Sequence, residues 1–119
     1  MARELKGLEK IGGKSKRVGR RHVVKIFNDD AVVESDVTVG RVGNKKVLRI
    51  HTYDVTPASE QGRGHGSTVL RALSDWAKGR GVKRIIAEDV AATPAKFWAK
   101  NGHKPVAGEN GRQDYQRDL

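Results

Sequence analysis

Three glycines at alternate positions, Gly62, Gly64 and Gly66, stand between a stretch of period-two hydrophobicity and a stretch of helical periodicity. The segment reads Val55-Thr56-Pro57-Ala58-Ser59-Glu60-Gln61-Gly62-Arg63-Gly64-His65-Gly66-Ser67. A strand has to end there, turn on residues free to take left-handed backbone angles, and open a helix. The first amides of a helix have no acceptor inside it, and its dipole draws anions to that end. Glycines let successive N–H groups converge and leave phosphate oxygens room to approach. Arg63 and Ser67 add a charge and a hydroxyl. On physical grounds the segment is a pyrophosphate cradle.

The flanking pattern supplies the rest of a small α/β domain. Residues 23–27 read as a strand closed by the turn Asn28-Asp29-Asp30. Val33, Ser35, Val37 and Val39 alternate with Glu34, Asp36 and Thr38, which is the signature of a half-buried strand. Gly43-Asn44 turns the chain into a third strand over residues 46–55. In that strand Leu48 and Ile50 set the apolar face on even positions, whereas Tyr53 and Val55 set it on odd ones. Parity cannot change inside a regular strand, so a bulge is expected near His51-Thr52. Residues 65–78 place Val69, Leu70, Leu73, Trp76 and Ala77 on one helical face, and Gly79 and Gly81 end the helix. Residues 82–90 read as a buried strand. Thr93-Pro94 reads as a cap and first position of a second helix that stops at Asn101-Gly102. Short strands near residues 104–107 and 114–119 complete a mixed, mostly antiparallel sheet with flanking helices.

The 119 residues fit one domain, residues 20–119, behind a basic N-terminal arm, residues 1–19. The arm carries Arg3, Lys6, Lys10, Lys14, Lys16, Arg17, Arg20 and Arg21, up to the first residues of the domain, against Glu4 and Glu9. Its glycines leave it a loop, with a short helix over residues 4–10. The whole chain carries a net charge of +10, which attracts polyanions. The arm reads either as a solvated basic tail or as a contact for nucleic acid or nucleoprotein, without an aromatic for base stacking. The absence of cysteine removes disulfides, Cys-based zinc sites and a thiol nucleophile. No metal site is expected. No apolar stretch is long enough for a bilayer, and no leader opens the chain, so a cytoplasmic protein with no membrane contact is expected.

A triphosphate-binding loop needs Lys after its last glycine, whereas Gly66 is followed by Ser67-Thr68. The dinucleotide fingerprint Gly-x-Gly-x-x-Gly is also missing. Gln61-x-x-Gly64-x-Gly66 instead resembles the (Arg/Gln)-x-x-Gly-x-(Gly/Ala) signature of the GNAT superfamily of acyl-CoA N-acyltransferases. Phe97-Trp98-Ala99-Lys100-Asn101-Gly102-His103 is similar to that family's Phe-Tyr-Glu-Lys-x-Gly-Phe. The resemblance spans residues 46–106 in order. It implies a splayed parallel strand pair and acetyl-CoA as co-substrate. The pyrophosphate would lie on the amides of Gln61, Gly62, Arg63, Gly64, His65, Gly66 and Ser67, the pantetheine arm along Asp54 and Val55, and Trp98 would touch the same ligand. It also implies acetyl transfer to a primary amine, plausibly a protein lysine or N-terminus.

The chemistry requires a base to take the amine's proton, and an acid can serve the leaving thiolate. His51 is the first candidate base, on the bulged strand where some family members place a histidine; Glu88 is the second. Trp98 stands where the family's tyrosine acid would be, so Tyr115 and Tyr53 are the substitutes. Ile50 occupies the position of the histone-type glutamate. His103 is expected at the surface and His65 against the co-substrate. Few residues precede the first clear strand, so the acceptor site should be open, or completed by a second subunit, as in a homodimer, or by the substrate itself. The competing reading is an inactive basic module on the same scaffold that binds nucleic acid or inhibits a partner.

Overall fold

The computed structural model describes residues 5–119, and of Ala92 and Thr93 it describes the backbone alone. Arg3 and Glu4 of the expected arm and its short helix lie outside the described residues. A 3-10 turn, Leu8–Ile11, leads into β1 (Gly13–Val18), β2 (Arg21–Asn28), β3 (Ala31–Val42) and β4 (Lys45–Thr56). After a 3-10 turn at Ala58–Glu60 come α1 (His65–Gly79), β5 (Val82–Ala87), α2 (Ala92–Lys100), β6 (Lys104–Ala107) and β7 (Gln113–Asp118). The strands form one seven-stranded sheet in the order β1-β2-β3-β4-β5-β7-β6. Every neighbouring pair is antiparallel except β4 and β5. This is the mixed, mostly antiparallel sheet with one parallel pair that the sequence implies.

Alternation decides which face is covered. Val24 and Ile26 of β2, Val33 and Val37 of β3, and Leu48 and Ile50 of β4 are each no more than 2% exposed and share one cluster with Val69, Leu70, Leu73 and Trp98 of the helices. Parallel crossovers keep one hand, so β4-α1-β5 and β5-α2-β6, advancing in the same direction, put both helices on the same side. Among the described residues no helix covers the other side. There Lys25, Phe27, Glu34, Thr52 and Asp54 are exposed. Among the described residues no helix is long and apolar enough to cross a membrane.

Three sequence expectations change. Residues 13–18, read as part of a glycine-broken loop, form edge strand β1, paired from Gly13↔Ile26 to Val18↔Arg21. An edge strand rich in lysine has no hydrophobic alternation to reveal it, because charge keeps such an edge from aggregating. Leu8, 1% exposed, anchors the preceding turn in the core. The second helix starts at Ala92 with Ala91 at its cap, so Thr93 lies inside its first turn. Strand β5 stops at Ala87: Asp89 takes a left-handed φ of 53°, and its amide donates to Asp114 Oδ1 at 2.9 Å.

Candidate acyl-CoA site

The cleft begins with one extra residue. Asp36 pairs with Thr52 and Val37 with Ile50, so His51 has no partner across β3. This is the bulge that the parity change requires. It keeps Ile50 on the helix side and returns Tyr53 and Val55 to that side, where both pack against the core. Pairing between β4 and β5 ends at Ile50↔Ala87, and the Glu88 amide donates to the Ile50 carbonyl at 2.9 Å as the last tie. From there β5 follows β7 and the second half of β4 is left with a free edge.

At that edge the chain turns into α1. Gly62 and Gly64 have φ of 79° and 87°, the left-handed region that a side chain disfavours. Gln61 Nε2 donates to the Val55 carbonyl at 3.0 Å and pins the turn to β4. The first helical bond runs from Thr68 N to Gly64 O at 3.0 Å. Among the described residues, the amides of residues 62–67 find no acceptor in the protein. Stacked at a helix N-terminus, these donors form an anion nest. Ser67 Oγ accepts from Asn101 Nδ2 at 3.1 Å, which leaves its hydroxyl proton to be donated.

A cavity of ≈ 360 Å³ opens beside them. Of the residues expected to hold the co-substrate, Asp54, Val55, Gln61, Gly62, Gly64, Gly66, Ser67 and Trp98 line it. Arg63 does not; its side chain is 67% exposed. The His65 side chain does not either. It is buried between Asn28, which donates Nδ2–H to its Nδ1 at 2.8 Å, and Glu60, which accepts from its Nε2 at 2.9 Å. It therefore clamps the loop to the β2–β3 turn, while its amide stays with the nest.

The wall opposite the loop is aromatic. Trp98, 4% exposed, packs edge-on to Tyr53 and Phe97, with ring centroids 5.5 and 5.1 Å away. Tyr53 donates to the Gly66 carbonyl at 2.8 Å, and burial pushes its phenol well above the usual range. Both effects commit its proton to the fold. Tyr115 lies on β7 opposite Ala87 and lines neither this cavity nor the next.

His103, expected at the surface, is 2% exposed. Gly102 takes φ 82° and the His103 amide closes on the Trp98 carbonyl at 3.0 Å, a helix ending that folds residue 103 back under the helix. Its ring lies 5.0 Å from Trp98, Nε2 has no partner, and burial lowers its pKa to about 4.

Through the gap, a second cavity of ≈ 170 Å³ reaches the open face of the sheet, and Tyr53, Pro94 and Trp98 line both. Here the structure brings the two base candidates together: His51 Nδ1 lies 2.7 Å from Glu88 Oε1. Glu88 Oε2 accepts from Arg49 Nη1 at 3.0 Å and forms an ion pair with Arg112 Nη2 at 3.2 Å. An ionised carboxylate only accepts, so a neutral His51 that bonds it carries its proton on Nδ1 and leaves Nε2, 3.0 Å from Thr38 Oγ1, free to accept. Sequence reasoning missed Thr38, Arg49, Arg112 and Asn101. Thr38 was visible as an outward residue of an alternating strand, but nothing in its spacing tied it to His51. The arginines were lost in a basic background.

Comparison with known proteins follows this geometry. A family model described as "Acetyltransferase (GNAT) family" matches residues 19–103. No curated protein matches the chain by sequence. Among solved structures, a Bacillus subtilis acetyltransferase in complex with CoA superposes with a TM-score of 0.65 at 18% identity, over 86% of this chain and 79% of that one. Tetrahymena GCN5 superposes with a TM-score of 0.65 at 14% identity, over 86% and 70%. The PaiA N-acetyltransferase of Thermoplasma acidophilum in complex with coenzyme A gives 0.59 at 15% identity, over 82% of this chain, which spans 60% of that one.

Proposed function

This chain belongs to the GNAT acetyltransferase family, and we propose from that premise that it moves an acetyl group from acetyl-CoA to a primary amine of a protein, a lysine or an N-terminus. The observation that carries the proposal is the row of unpaired amides at residues 62–67 beside a cavity that shares Tyr53, Pro94 and Trp98 with a second one, lined by the histidine–carboxylate pair. The donor set fits a pyrophosphate: neutral N–H groups, a free hydroxyl on Ser67 and the Lys100 side chain at the rim. The free edge of β4 at Asp54 and Val55 fits a pantetheine amide chain laid down as an added strand. When bound, acetyl-CoA supplies an acetyl thioester, whose carbonyl carbon accepts the amine and whose thiolate leaves.

The residues of this chain handle position and protons. A lysine amine with a pKa near ~10.4 has to shed a proton to react. His51 Nε2 takes it, directly or through the Thr38 hydroxyl that now donates to it, and Glu88 holds the resulting imidazolium. Arg49 and Arg112 hold Glu88 in place. Glu88 is therefore a positioning group, and His51 is the base. Trp98 has no proton to give at useful pH and Tyr53 is tied to Gly66, so the thiolate leaves without a proton from either and takes one from water.

Thiol release tests this directly. The chain has no cysteine, so every thiol that appears with acetyl-CoA and a lysine peptide is CoA. His51→Gln should lower kcat by roughly 100-fold while CoA affinity in calorimetry stays unchanged. Glu88→Gln should shift the pH profile of kcat. Wild-type-like turnover in His51→Gln removes the base assignment.

A further inference from the structure

The open face of the sheet has no helix over it among the described residues, and its charge is not random. From Lys10 to Lys25 the chain carries Lys10, Lys14, Lys16, Arg17, Arg20, Arg21 and Lys25, with no acidic residue. The β1–β2 hairpin arranges part of this set around a groove of ≈ 500 Å³ whose walls carry Lys14, Lys16 and Lys25 against the single carboxylate of Glu34 and whose apolar floor is Val18 and Val23. Val18 is 56% exposed. Among the described residues Lys14 and Lys16 have no carboxylate partner. Lys25 meets Glu34 only at 4.0 Å, and Arg21 meets Asp36 at 3.9 Å. Lys14 instead sits 5.5 Å above the Phe27 ring.

Strand register joins this groove to the proposed base. Lys16 pairs with Val23, Val23 with Asp36, and Asp36 with Thr52, the residue after His51. Directly paired residues share a face, so this row is a path across the open side that ends beside His51. Three strand spacings of about 4.8 Å make it ~14 Å long. An extended polypeptide covers that in about four residues.

We propose that the Lys14–Lys16–Lys25 groove is the docking surface for an acidic stretch of a polypeptide acceptor, whose aspartate or glutamate side chains lie about four residues from the amine presented to His51. This rests on the reading of the open face as the acceptor side. The occupant has to carry both negative charge and a nucleophilic primary amine, and a polypeptide has both. Nucleic-acid exocyclic amines are conjugated with their rings and poor nucleophiles. A phosphodiester chain carries a charge at every unit and has to pass Glu34 and Asp36, whereas a peptide can hold its carboxylates over the lysines and pass those residues with uncharged ones; the groove lining also has no aromatic residue for base stacking.

The test is fluorescence anisotropy of labelled probes on the full chain at low salt. One peptide carries a single lysine with two aspartates about four residues away; a second has asparagines instead; the third probe is an oligothymidylate of equal charge. The acidic peptide should bind about tenfold tighter than the asparagine peptide, and Lys14→Glu/Lys16→Glu should erase that preference. Both substitutions are on the exposed edge strand, so folding is preserved. Equal binding of the peptides, a preference that survives the double variant, or tighter capture of oligothymidylate than of the acidic peptide overturns the proposal. Calorimetry with CoA on the same samples separates the two readings. Normal CoA binding without the peptide preference removes the groove and leaves the donor site. Absent CoA binding with the preference intact does the opposite.

Discussion

Gly64 and Gly66 are small for different reasons, and their alanine variants should fail differently. Gly64 has open space around its missing Cβ but sits at φ 87°. Gly64→Ala should cost roughly 1–2 kcal/mol in denaturant unfolding, because an L side chain disfavours that region. At Gly66 the backbone is ordinary, but a Cβ would stand 3.1 Å from Phe97 Cε1. Gly66→Ala should push Phe97 into the cavity and weaken CoA binding in calorimetry with a smaller loss of stability. His103 carries a prediction in pH. Its folded pKa is about 4 against an ordinary 6.5, so between those values the unfolded chain binds more protons. Stability is then complete above about pH 6.5 and declines as the pH falls towards 4. His22, also lowered by burial and by Arg17, adds to the same slope. Melting temperature followed over this range should fall less steeply in His103→Phe. Of these residues the loop glycines were legible in the sequence, since nothing but glycine serves a left-handed turn at an anion site. The burial of His103 was not, because it depends on how a helix ending folds back beneath Trp98.

The elements meet at a few side-chain ties, and Tyr53 is the most informative. Its hydroxyl joins β4 to the Gly66 carbonyl at the first turn of α1. Tyr53→Phe should lower stability by about 1 kcal/mol, the usual worth of such a bond, and leave kcat near its original value. A collapse of kcat at unchanged CoA affinity would make Tyr53 the missing acid and refute the structural role. The bulge was readable as arithmetic: two apolar registers cannot share one strand without an extra residue, and His51 is that residue. Strand β1 was unreadable for the opposite reason. Its partner supplies the pairing while its own side chains stay in solvent, so no apolar period marks it. The meeting of His51 with Glu88 was also hidden, because each candidate was found on its own strand and only the register of β4 against β5 brings them together.

At the scale of the whole molecule, the sheet separates two kinds of chemistry. The helix-covered face carries the hydrophobic core and the glycine turn; the open face carries the His51–Glu88 pair and the lysine groove. The gap between β4 and β5 is the passage between them, with Tyr53, Pro94 and Trp98 at its waist. The mixed α/β class and the order of elements from β2 onward followed from periodicity and glycine placement. The functional polarity of the two faces did not, since it depends on which face the helices leave bare. The central claim is that the amides of residues 62–67 clasp a diphosphate. The direct measurement is a heteronuclear amide spectrum of the nitrogen-labelled chain during titration with CoA. The signals of residues 62–67 should move downfield together as each N–H gains an anionic acceptor, and Gly64→Glu should abolish the movement. CoA binding with those signals unmoved, or no binding at all by the native chain, would contradict that claim.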